Sequence, residues 1–172
     1  METMTNEVVL SSDDASVTIN LQGAHVTSWK VKDQEQLFMS PSAVFDGKSE
    51  VFGGIPIIFP RLGSWGEGKP FHGFARTSRW ERIDEGKMGG NVARLILRPD
   101  AVSRTYWDAE FVLTLTITVD RDSLCMGLIV ENVGNTSFEF TTLFHNYLYV
   151  EDLHRVSLTG LSGCTYKDAA DG

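Results

Sequence analysis

Residues 111–119 alternate without a break. Phe111, Leu113, Leu115, Ile117 and Val119 fall on one side, and Thr114, Thr116 and Thr118 on the other. A period of two marks a strand with one face buried and one face wet, and threonine suits the wet face of a pleated surface. Residues 120–123 turn the chain. Leu124, Met126, Leu128 and Val130 then repeat the alternation, which predicts a β-hairpin.

The rest of the chain reads the same way. Val8 to Leu10 is a short apolar run. Val17, Ile19 and Leu21 share a face, and after Gly23 a strand resumes over 26–31 with Trp29. Residues 37–39 are another short piece. Residues 80–83 and 92–97 are expected to pair across a turn at 86–91. Residues 101–110 read as a connection with one helical turn. Residues 138–150 are expected to form one long strand, with Phe138, Phe140, Thr142, Phe144, Asn146, Leu148 and Val150 toward the core. Its other face carries Glu139, Thr141, Leu143, His145, Tyr147 and Tyr149. A last strand is expected at 156–159. No 3.6-residue period is sustained anywhere. Short strands punctuated by Gly, Asn and Asp turns predict an all-β antiparallel sandwich or barrel. With no repeat and no linker, residues 1–172 read as a single domain.

Composition limits the partners. A net charge of −8 argues against nucleic acid, which demands a surplus of Lys and Arg. It leaves room for a small anion held by a few local arginines. No stretch approaches a membrane span, and residues 1–14 carry no apolar run flanked by basic residues, which predicts no secretory leader. Cys125 and Cys164 have no metal-ligand spacing and form no disulfide framework. A cytoplasmic, reduced protein is expected.

Residues 53–76 break the strand pattern. Prolines 56, 60 and 70 and a series of glycines exclude a helix interior or a central strand. Yet the segment holds Ile55, Ile57, Ile58, Phe59, Trp65, Phe71 and Phe74, too many large apolar groups for a solvated loop. It also delivers Arg61, His72 and Arg76. Two readings stand: a packed Ω-loop with solvated charges, which local composition favours, or the wall of a cleft.

Of the 4 histidines, His25 sits among strand residues and reads as structural, and His154 follows Glu151 and Asp152 in a surface turn. His145 lies between aromatic and hydroxyl groups on the amphipathic face of its strand. It reads either as hydrogen-bonded scaffolding or as a proton donor, since imidazole titrates near neutrality. A strand face with Tyr147 and His145 suits a sugar, whose C–H side stacks on aromatic rings and whose hydroxyls bond polar groups. No P-loop, zinc motif, nucleophile elbow or dinucleotide fingerprint is present.

Three motifs occur in order: Gly53-Gly54-Ile55-Pro56 with Phe59-Pro60, then His72-Gly73-Phe74-Ala75-Arg76, then Leu143-Phe144-His145-Asn146-Tyr147. Together they resemble the hexose-6-phosphate mutarotases, or glucose-6-phosphate 1-epimerases, of the aldose 1-epimerase superfamily. Gly23 to Trp29, and Gly160-Leu161 with Tyr166-Lys167-Asp168, are similar to further family segments. The resemblance implies a galactose mutarotase-like β-sandwich that interconverts the α and β anomers of a hexose 6-phosphate, with no metal or other cofactor. It implies that His145 is the acid, that His72 orients the sugar and that Arg76 binds the phosphate. Phe52 stands where the family carries an arginine, and Phe71 where it often carries glutamine; Arg61 is then expected to assist with phosphate.

Family members are considerably longer. Their catalytic glutamate corresponds to a position beyond Gly172, so the resemblance implies a sandwich incomplete at its C-terminus. Sheet edges left open would then be covered by a partner chain or a dimer mate. Two other functions remain open: a non-catalytic sugar-phosphate binding domain, and a β-sandwich interaction module.

Overall fold

The computed structural model describes residues 6–46, 48–83 and 90–165. Four strands, β1 (Glu7–Ser12), β2 (Ala15–Asn20), β3 (His25–Val31) and β4 (Gln34–Glu35), form one antiparallel sheet in the order β1-β2-β3-β4. Ile57–Ile58 is β5. A second antiparallel sheet runs β6-β7-β8-β9, from β6 (Glu81–Arg82), β7 (Val92–Leu97), β8 (Phe111–Asp120) and β9 (Ser123–Asn132). β10 (Leu143–Phe144) pairs with β5.

The two larger sheets stack through their apolar faces. Val8, Leu10, Val17, Ile19 and Val26 from the first meet Leu95, Leu97, Leu113, Leu115, Ile117 and Val119 from the second in one core. This is the expected antiparallel sandwich, two layers closing on a shared interior. The β8–β9 hairpin pairs Leu115 with Leu128 and Asp120 with Ser123, so the apolar rows of both strands share a face. β8 is covered along that face, while Leu124, Met126, Leu128 and Val130 at the sheet edge are only half-buried.

The helical turn expected after Pro99 is α1 (Ala101–Tyr106). Asp100 caps it, accepting from the Ser103 amide at 2.7 Å, and the Ser103 hydroxyl accepts from the Asp100 amide at 2.8 Å. This reciprocal pair satisfies two amides that the first turn would otherwise leave open.

Two strand expectations are corrected. Residues 138–150 do not form one regular strand. The segment is extended and pairs as a ladder only at Leu143–Phe144. Beside that ladder the amides of Thr141, His145 and Tyr147 donate to the carbonyls of Pro60, Pro56 and Gly54, and an isolated bridge joins Leu148 to Leu37, with Tyr149 donating to Gln36 and Phe38 to Tyr147. Its partner segment carries Pro56 and Pro60, which have no N–H to return. The face expected in the core is partly open, with Phe140 39% and Leu148 63% exposed. Residues 156–159 form no strand; Val156 and Leu158 are exposed. A short 3₁₀ turn, Leu153–Arg155, precedes them. Most of the turn expected at 86–91, and the motif residues Tyr166, Lys167 and Asp168, lie outside the described residues. Among the described residues no helix is long and apolar enough to cross a membrane.

Candidate functional site

Residues 53–76 are anchored from beneath. Ile57, Ile58 and Phe59 are fully buried. The Phe59 ring meets Phe74, Trp107, Phe111 and Phe140 at centroid distances of 6.3, 5.6, 5.4 and 5.5 Å. The loop is therefore packed, as its composition favours, and its polar side chains rise from a rigid base. The carbonyl of Phe59 accepts from the amides of Phe74 and Ala75 at 3.0 and 3.2 Å. That approach needs Gly73, whose φ is +75° and where a Cβ would lie 2.1 Å from the Phe59 oxygen.

His25 fixes the other end of the segment. Its Nε2–H donates to the Gly53 carbonyl at 2.8 Å, and its Nδ1 is buried without a partner among the described residues. Burial dominates and pushes its pKa from 6.5 down to about 4; the bond to Gly53 raises it, and the Arg76 charge lowers it further. The ring is a neutral structural strut, as its sequence setting predicts.

His72 sits in the left-handed region, at φ +63°. Its amide donates to the Gly63 carbonyl at 3.0 Å, and its Nδ1 accepts from the Gly63 amide at 2.8 Å. With Nδ1 accepting, the neutral ring carries its proton on Nε2. Its pKa is lowered, first by partial burial, then by the charges of Arg76 and His145, with Glu50 opposing. The His145 ring lies 6.2 Å from that of His72 and stacks on Tyr147 at 4.8 Å. It is half-buried, and its amide is tied to the Pro56 carbonyl at 3.0 Å.

Arg76 is 8% exposed. Its Nη2 donates to Glu50 Oε1 at 2.5 Å and to the Phe71 carbonyl at 2.7 Å, while its Nε is buried without a partner among the described residues. It lines a cavity of about 560 Å³ with Lys48, Glu50, Phe71, Arg79 and Tyr106 among others; the two imidazoles lie outside it. Arg61 is half-buried and makes no hydrogen bond or ion pair among the described residues. Its backbone runs beside the His145 segment, because the Thr141 amide donates to the Pro60 carbonyl and the Leu62 amide to Thr141 Oγ1.

The structure thus brings His72 and His145 together and sets Arg76 within electrostatic reach of His72. It shows no contact from Arg61 to either ring. His154 lies at the surface, its amide bonded to Asp152 Oδ1 at 2.9 Å. Glu139 and Glu151 are exposed and bond neither imidazole. Glu50 escaped the sequence reading, since nothing in Asp46 to Glu50 distinguishes it from a solvated turn. Among the described residues no three His, Cys, Asp or Glu side chains group as metal ligands.

The family model described as aldose 1-epimerase matches residues 6–171. The chain belongs to the aldose 1-epimerase family. A relative from Cenchrus ciliaris, named "Putative glucose-6-phosphate 1-epimerase", is 32% identical over 94% of this chain and 52% of its own length. Two crystal structures superpose on the sandwich. One, titled a "putative mutarotase (YeaD)" from Salmonella typhimurium, has a TM-score of 0.73 and 26% identity over 88% of this chain and 55% of that one. The other, the Slr1438 protein of Synechocystis sp. PCC 6803, has a TM-score of 0.75 and 26% identity over 83% and 54%. The chain therefore spans about half the length of these relatives. Its three motifs meet where residues 53–76, with His72, lie against the ribbon that carries His145.

Proposed function

We propose that this chain binds a hexose 6-phosphate across His72 and His145 and supplies the proton donor for interconversion of its anomers. The observation that carries this reading is the imidazole pair, 6.2 Å apart, with the His72 ring held by the Gly63 amide and the His145 ring stacked on Tyr147. Membership of the aldose 1-epimerase family supports the sugar class, and the name of the Cenchrus relative supports the phosphate ester.

In the reaction His145 gives a proton to the ring oxygen. The C1–O5 bond breaks with its electrons passing to oxygen, while the C1 hydroxyl loses its proton to a base and becomes the aldehyde carbonyl. Rotation about C1–C2 and the reverse steps deliver the other anomer. Atoms and oxidation state are conserved. The Nε2–H of His72 is oriented to donate to a sugar oxygen, and Tyr147 stiffens the His145 ring. Arg76, with Arg61 in support, is the proposed phosphate end.

Among the described residues no carboxylate hydrogen-bonds either imidazole, and Glu50, whose charge reaches His72, is tied to Arg76. Without a positioned base the rate is expected to fall by roughly 10² to 10⁴. That observation favours a second reading, a sugar-phosphate binding domain with little turnover. Exchange NMR on glucose 6-phosphate separates the two: accelerated anomer exchange supports the first, and binding without acceleration supports the second. An interaction module would show neither.

A further inference from the structure

We propose that Glu50 is an internal competitor for Arg76 and sets how strongly this site prefers a phosphorylated sugar over a neutral one. The inference rests on the reading of this face as a sugar-phosphate site. Arg76 is 8% exposed and Glu50 38% exposed, so the guanidinium is fixed and the carboxylate is free to leave. One nitrogen, Nη2, carries both the Glu50 and the Phe71 bonds.

Arg76 and Glu50 both line an adjoining cavity of about 560 Å³, which has room for an anion. Its wall carries Lys48, Arg76 and Arg79 against Glu50 and Asp100. The Asp100 carboxylate already caps α1, accepting from the Ser103 amide at 2.7 Å. Glu50 is then the carboxylate that opposes an incoming anion at the guanidinium. An anion binding Arg76 must either displace Glu50 or sit beside its charge, and both weaken binding. A neutral hexose meets no such competition.

The test compares the full chain with Glu50→Gln and Glu50→Asp, measuring dissociation constants for glucose 6-phosphate, glucose and inorganic phosphate. Glu50→Asp keeps the net charge but shortens the side chain by one methylene. It also provides the reading if Glu50→Gln fails to fold. The ratio of glucose 6-phosphate to glucose affinity is expected to rise on the order of tenfold in both variants. An unchanged ratio overturns the proposal. So does a rise in Glu50→Gln alone, which would report net charge and not the contact with Arg76. If neither sugar binds but inorganic phosphate binds the variants more tightly, the sugar reading falls and the competition at Arg76 stands.

Discussion

The rings of His72 and His145 stand 6.2 Å apart and are inclined by 58°. They come from segments far apart in the chain, one from a glycine-rich loop and one from an extended ribbon. The Gly63 amide fixes the first through Nδ1 at 2.8 Å, and the Pro56 carbonyl fixes the backbone of the second at 3.0 Å. Both anchors lie on residues 53–76, so the packing of that one loop sets the spacing of the pair.

Replacing His72 separates orientation from donation. Asparagine tolerates φ +63° and offers an oxygen to the Gly63 amide. His72→Asn should therefore fold normally and lose the Nε2–H donor. Glucose 6-phosphate binding, followed by calorimetry, is expected to weaken about threefold to tenfold, the worth of one neutral hydrogen bond. An unchanged affinity would remove His72 from the site.

Gly73→Ala tests the loop itself. The new Cβ would fall 2.1 Å from the Phe59 oxygen in a left-handed backbone. Both the conformation and the contact are unfavourable, so a loss of at least about 2 kcal/mol is expected in urea unfolding. The same variant should broaden the imidazole NMR signals of His72 and His145, since their common base has shifted.

Acid should unfold the chain partly through His25. Its pKa is about 4 in the fold against 6.5 for the ordinary side chain. A depressed histidine pKa means that the unfolded chain takes up the proton first. The stability tied to a neutral His25 is thus complete above pH 6.5 and is lost as pH falls toward 4, by about 3 kcal/mol in all. Denaturant midpoints measured across that range should decline, and His25→Asn should flatten the decline. An identical slope in the variant would assign the acid sensitivity elsewhere.

Legibility in the sequence followed how completely each segment's environment imposed a period. β8 lies in the middle of its sheet with one face buried, so its alternation is strict and its bounds were readable. The ribbon at 138–150 alternates too, but its partner carries Pro56 and Pro60, and a ladder needs donors from both sides. Its even face has the pattern of a core face although Leu148 is 63% exposed, because periodicity reports a capacity for burial and not the burial reached. The histidine pair was legible through the resemblance of its motifs. The Glu50–Arg76 pair was not, since a contact across 26 positions leaves no periodic mark and Glu50 sits in a polar turn.

The account stands most directly on the anomer exchange of glucose 6-phosphate, followed by two-dimensional exchange NMR in dilute buffer with the full chain and with His145→Ala. It predicts exchange above the buffer rate in the native chain and a return to that rate in the variant, with the sandwich intact by circular dichroism. Native exchange at the buffer rate, or equal exchange in both proteins, would contradict it.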